Sequence, residues 1–203
     1  MDTSSGYKDR ALDSLKGKWD KGILATLINY AIIGIPTYGI ALSACQEAWG
    51  NLSNLWTIAM LPLSWGVTIF FLRIIRQENP DFNNLFDGFK DYWRIFVTLF
   101  LRNLYTGLWA LLLIVPGIIK AYSYAMTEYI LKDDPEIGAN AAIEKSMDMM
   151  QGHKMDLFLL HLSFIGWAIL ACFTLGLGFL VLYPYFTTTQ AHFYEDLKAE
   201  YEK

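Results

Sequence analysis

Long apolar stretches, separated by short polar ones, dominate the chain. No Asp, Glu, Lys or Arg occurs from position 22 to 46, nor from 48 to 72. From 157 to 194 the ionisable side chains, apart from tyrosine and one cysteine, are His161 and His192. An α-helix rises ~1.5 Å per residue, so about 20 apolar residues cross a ~30 Å hydrocarbon core. Each run is long enough, and the pattern predicts an all-α, polytopic membrane protein.

We read six transmembrane helices. The first covers 22–45, with Pro36 as a kink because proline removes an internal hydrogen bond. The second covers 55–72, after a polar turn at 47–54. The third, 95–115, is interrupted by Arg102, and the fourth, 118–131, is short and carries Lys120 and Glu128. Pro116 and Gly117 punctuate the chain between them. The last run divides at Thr174-Leu175-Gly176-Leu177-Gly178 into 157–173 and 179–192. The expectation is one membrane domain, 1–203, of three hairpin units at 1–72, 73–131 and 132–203.

Basic residues orient the spans, since Lys and Arg are enriched in cytoplasmic loops. With six spans, fourteen of the sixteen fall on one side, in 1–21, 73–94, 132–156 and 195–203. The opposite turns, 46–54, 116–117 and 174–178, contain none. Treating 95–131 as one bent helix would put the three lysines of 132–156 on the outer side. Six spans with both termini in the cytoplasm is the better reading, and no removable signal peptide is expected.

Each unit opens with an amphipathic stretch, then a glycine and a lysine. These are 7–15 before Gly17-Lys18, 81–86 before Gly88-Phe89-Lys90, and 140–150 before Gly152-His153-Lys154. Phe82, Leu85, Phe86 and Phe89 follow helical spacing, as do Ala139, Ile143, Met147 and Met150. We expect three amphipathic interfacial helices on the cytoplasmic face, one before each hairpin.

Composition narrows the partners. Hydrophobic residues make up 54% and charged residues 18%, and the net charge of −4 argues against nucleic acid. The expected partners are membrane lipids, together with other membrane proteins or further copies of the chain. No His-Glu-x-x-His, Gly-x-Ser-x-Gly, Walker or Cys-x-x-Cys motif is present. Neither a metal nor a cofactor is expected, and the protein is read as a non-enzyme. Cys45 and Cys172 are expected as two free buried thiols, with one bridge near the outer face as the alternative.

Residues 116–127 (Pro-Gly-Ile-Ile-Lys-Ala-Tyr-Ser-Tyr-Ala-Met-Thr), followed by Ile130-Leu131 and Asp133-Asp134-Pro135, carry a resemblance. It continues through Ala139-Asn140, Ala142-Ile143, Lys145-Ser146, Met149-Met150, Gly152-His153-Lys154 and Asp156-Leu157-Phe158. Further matches are 162–167, 174–178 and 193–197, with Gly17-Lys18-Trp19 fainter. The sequence resembles the bacterial integral membrane family called "domain of unknown function 975". Gly138 stands where that family often has a capping Ser or Thr. The resemblance implies a multi-pass protein of the bacterial cytoplasmic (inner) membrane and supplies no activity.

Ionisable groups within a span suggest a site or a pair. Arg102 lies fourteen residues before Pro116 and Glu128 eleven after Gly117, which puts them at similar depth. His161 and Gln190 lie fourteen residues either side of Leu175 and Gly176. We therefore expect an Arg102–Glu128 contact within a polar layer of Arg102, Glu128, His161, Gln190 and Asn29. Lys120, Tyr122 and Tyr124 form a second candidate, an interface belt or ligand patch. The leading expectation is a lipid- or partner-interacting membrane module working through its cytoplasmic rim. The alternative is a small transporter or channel using the polar layer. A cavity reaching Arg102 and Glu128 would favour transport, and a closed bundle with exposed amphipathic helices would favour the module.

Overall fold

A computed structural model describes residues 2–41, 46–78 and 80–202. All the regular structure among them is helical. In chain order it comprises α1 (Ser4–Leu15), α2 (Trp19–Ala41), α3 (Gln46–Ala59), α4 (Leu61–Ile75) and a 3-10 segment (Phe82–Phe89). Then come α5 (Tyr92–Leu112), α6 (Ile114–Ser123), α7 (Thr127–Asp133), α8 (Ala139–Met149), α9 (Lys154–Leu162), α10 (Ile165–Phe173) and α11 (Phe179–Tyr201). Among the described residues three helical stretches are long and apolar enough to cross a membrane: Leu52–Ile75, Tyr92–Leu112 and Lys154–Phe173.

Helices α4, α7 and α11 form the centre. One core joins Trp65, Ile69 and Leu72 of α4, Tyr129, Ile130 and Leu131 of α7, and Phe193, Tyr194 and Leu197 of α11. Tyr129 stacks on Tyr194 with ring centroids 4.8 Å apart. A second core gathers Leu15, Ala25, Val67, Phe70, Phe71, Ile74 and Leu85. Outside this centre, α5, α6 and α10 present large apolar side chains outward, including Leu111, Ile114, Ile165 and Phe173. Apolar exposure of that extent is costly against water and natural against hydrocarbon.

Several expected turns are displaced. The polar stretch 47–54 lies inside α3, and Cys45 falls outside the described residues. Cys172 is a free, exposed thiol. The reversal expected at 116–117 occurs at Leu113, whose extended backbone (φ −157°, ψ 135°) separates α5 from α6. Pro116 then sits in the first turn of α6, where a missing N–H leaves no intrahelical bond unmade. Residues 118–131 are not one helix, because the chain breaks between α6 and α7. Ser146 of α8 takes over at the break. Its hydroxyl donates to the Ser123 carbonyl (2.9 Å) and accepts from the Met126 N–H (3.1 Å), and Ser146 is fully buried.

Pro36 does lie within α2, and its missing N–H would have served the Ile32 carbonyl. The Trp56 indole of α3 donates to that carbonyl instead, at 3.1 Å.

The three amphipathic stretches are helical, with apolar faces turned largely toward protein. Tyr7, Ala11 and Leu15 of α1 are buried, as are Ala142, Ile143 and Met149 of α8. Helix α1 packs on α11, α8 on α5 and α7, and the 3-10 segment on α4. That last approach is very close. A Cβ on Gly66 would collide with the Leu85 carbonyl, and one on Gly88 with the Pro62 carbonyl. Gly17 and Gly152, by contrast, take positive φ (71° and 82°) after α1 and α8, where side chains are disfavoured.

Candidate functional site: a polar cavity at Arg102 and Glu128

Arg102 projects from the middle of α5 and Glu128 from the first turn of α7. Arg102 Nη1 donates to Glu128 Oε1 at 2.6 Å, with side chains 21% and 17% exposed. The contact is single-pronged. Arg102 Nη2 donates to Asn103 Oδ1 at 3.3 Å, and the Thr106 hydroxyl to the Arg102 carbonyl at 2.8 Å. Trp65 of α4 anchors the opposite arm by donating its indole N–H to the Glu128 carbonyl at 2.8 Å.

The pair borders a cavity of about 350 Å³ among α4, α5, α6, α7 and α11. Thr68, Asn103, Thr106, Thr187 and Gln190 supply polar groups to its wall, and Tyr124, Tyr129, Tyr183 and Phe186 supply rings. Tyr129 is 1% exposed, and its hydroxyl is buried without a hydrogen-bond partner among the described residues.

Of the expected polar layer, Arg102, Glu128 and Gln190 share this cavity. His161 lines a neighbouring apolar cavity of about 280 Å³, between Tyr122 and Phe186 at centroid distances of 5.4 and 4.8 Å. Tyr183 and Phe186 border both spaces, so His161 lies one layer of rings from the pair. Asn29 is buried in α2, away from the cavity wall, with Oδ1 unpartnered among the described residues.

Lys120, Tyr122 and Tyr124 do not form one patch. Positions two apart on a helix face nearly opposite ways, whereas positions four apart share a face. Lys120 Nζ lies over Trp109 (5.3 Å) and Tyr124 (5.9 Å) and meets Met147 Sδ at 3.8 Å. Tyr122 turns instead to Phe158 and His161.

Local spacing gave no signal for a second polar constellation, where the ends of α4, α7 and α11 converge. Arg76 grips Asp133 with two prongs, 2.7 and 2.9 Å, and reaches Glu195 at 2.7 Å. Lys198 Nζ and the Tyr194 hydroxyl complete the shell of Asp133 at 2.7 and 2.9 Å. Burial alone would raise the Asp133 pKa, but Arg76, Lys198 and Tyr194 overcome it and hold the carboxyl down to about 2. Burial and the Asp133 charge push Tyr194 the other way, upward. At the α1–α11 interface Arg10 meets Asp196 at 3.0 and 2.6 Å, and Ser14 Oγ lies 2.9 Å from His192 Nε2. These contacts join helices at opposite ends of the chain.

Fold and cavity together define an all-helical protein with segments able to cross a membrane and a polar space among its helices. The chain belongs to the family described as "Protein of unknown function (DUF975)", whose model matches residues 1–123 and 111–201. No curated protein and no solved structure matches it.

Proposed function

We propose that this is a non-enzymatic, multi-pass protein of the bacterial cytoplasmic membrane that binds a small polar solute in the Arg102–Glu128 cavity and passes it across. The observation that carries the reading is the cavity itself, where an ion pair, three threonines and two amides meet within a bundle whose outer helices are apolar. Polar groups at such a level are costly unless paired or used. In this reading the helices make six crossings as three hairpins, with both termini and the loop lysines in the cytoplasm. The amphipathic helices brace that face, and no nucleic acid is involved.

One observation favours the second reading, a lipid- or partner-interacting module. Trp93 is 74% exposed next to the basic residues Lys90 and Arg94, a combination suited to a headgroup layer.

Stopped-flow swelling of proteoliposomes in glycine, glycine betaine, glycerol and urea separates the two. Permeation above that of protein-free vesicles, reduced by Arg102→Gln, is expected for a solute pathway. Equality with protein-free vesicles across the panel overturns it, and tightly retained lipid would then support the module.

A further inference from the structure

Building on the solute-binding reading, we propose that the cavity selects a dipolar solute, a small molecule with an ammonium group at one end and a carboxylate or phosphate at the other. Selection follows from the pair. Arg102 and Glu128 touch through one hydrogen bond, and a solute entering between them must replace that contact. An anion alone would pair with Arg102 and strand Glu128, and a cation alone would do the reverse. Leaving one partly buried charge unpaired is unfavourable, because the desolvated group has lost both water and its partner. A solute carrying both charges leaves neither stranded.

The wall fits both ends. Tyr124, Tyr129, Tyr183 and Phe186 border the space, and aromatic faces attract ammonium groups. The guanidinium of Arg102 has five N–H donors, of which Glu128 and Asn103 each receive one. The amide of Gln190 adds hydrogen-bonding capacity at the same wall. A space of about 350 Å³ accommodates a solute of roughly ten heavy atoms with a few waters.

The test is calorimetric titration of the full chain in phosphatidylglycerol nanodiscs with glycine betaine, phosphocholine, acetate, tetramethylammonium and glycerol. Saturable binding of betaine or phosphocholine, with acetate and tetramethylammonium much weaker, is expected. Arg102→Gln and Glu128→Gln should each weaken it about tenfold to a hundredfold, the loss of one charged hydrogen bond. The double variant Arg102→Glu with Glu128→Arg should recover binding, because a dipolar solute can enter reversed; this also controls for misfolding of the single variants. Acetate or tetramethylammonium binding as tightly as betaine overturns the dipolar class, as does glycerol binding where betaine does not; both leave the cavity reading standing. No binding by any probe, together with no permeation in swelling assays, overturns both. Soluble phosphocholine bound in phosphatidylglycerol discs but excluded by phosphatidylcholine discs assigns the occupant as a lipid headgroup; binding in both assigns a free solute.

Discussion

Arg76 and Asp133, 57 positions apart, meet through two nitrogen–oxygen contacts of 2.7 and 2.9 Å. The pair closes the ends of two central helices against the third, because Lys198 and Tyr194 of α11 bind the same carboxylate. The Asp133 carboxyl titrates near 2, below its ordinary 3.8. A depressed acid stabilises the fold fully above the ordinary value, and the contribution fades as pH falls from about 4 through about 2. It amounts to about 2 kcal/mol. Thermal unfolding followed by tryptophan fluorescence in detergent should show this acid-side loss. Asp133→Asn should lower stability at neutral pH by about 2–4 kcal/mol and flatten the slope between pH 4 and 2.

Ser146 substitutes for helical hydrogen bonds at the α6–α7 break. Ser146→Ala leaves the Met126 N–H and the Ser123 carbonyl without this partner in a buried place. A loss of about 1–3 kcal/mol is expected, and hydrogen exchange at Met126 should speed up. Unchanged protection there would mean that the break is held by other contacts.

The close seat of the 3-10 segment on α4 gives a sharper contrast. Gly66→Ala pushes a methyl into the Leu85 backbone, which cannot swing aside as a side chain can. It should cost about 1–3 kcal/mol. Gly107→Ala, with open space around the new methyl in α5, should instead gain about 0.5–1 kcal/mol from helix propensity. Midpoint temperatures of the two variants should therefore move in opposite directions.

Topology is checked by labelling. With Cys45 and Cys172 replaced, Lys145→Cys should react with a membrane-impermeant maleimide in inverted vesicles and remain protected in intact spheroplasts. Labelling from the outer side would overturn the six-crossing arrangement.

Much of the helical pattern was legible because helices able to cross a membrane need long uncharged runs. The Arg102–Glu128 contact was legible as well, although the turn used to locate it lies three residues earlier, at Leu113. The break at 124–126 and the reach of an arginine side chain absorb that difference. Counting from a turn gives depth, not direction, so it placed His161 in a layer from which its helix face turns it away, and Asn29, added to that layer without such a count, lies off the cavity wall. Tyr122 parted from Lys120 and Tyr124 for the same reason. The Asp133 cluster was illegible because each of its charges, taken singly, is an ordinary rim charge. Only folding brings three distant helix ends together. The inward seating of α1 and α8 was hidden likewise, since an amphipathic face reads the same whether it meets headgroups or protein.

The seat of α1 on α11 also bears on how the polypeptide matures. Tyr7 and Ala11 emerge from the ribosome early, whereas Phe193 and Asp196, against which α1 rests, follow about 180 residues later, roughly 10–40 s at ordinary synthesis speeds. Throughout that interval Tyr7 and Ala11 lack the α11 part of their berth, although Leu15 can already pack against α4. A product stalled before residue 190 would keep that part uncovered, offering quality-control proteases a mark absent from copies that carry α11.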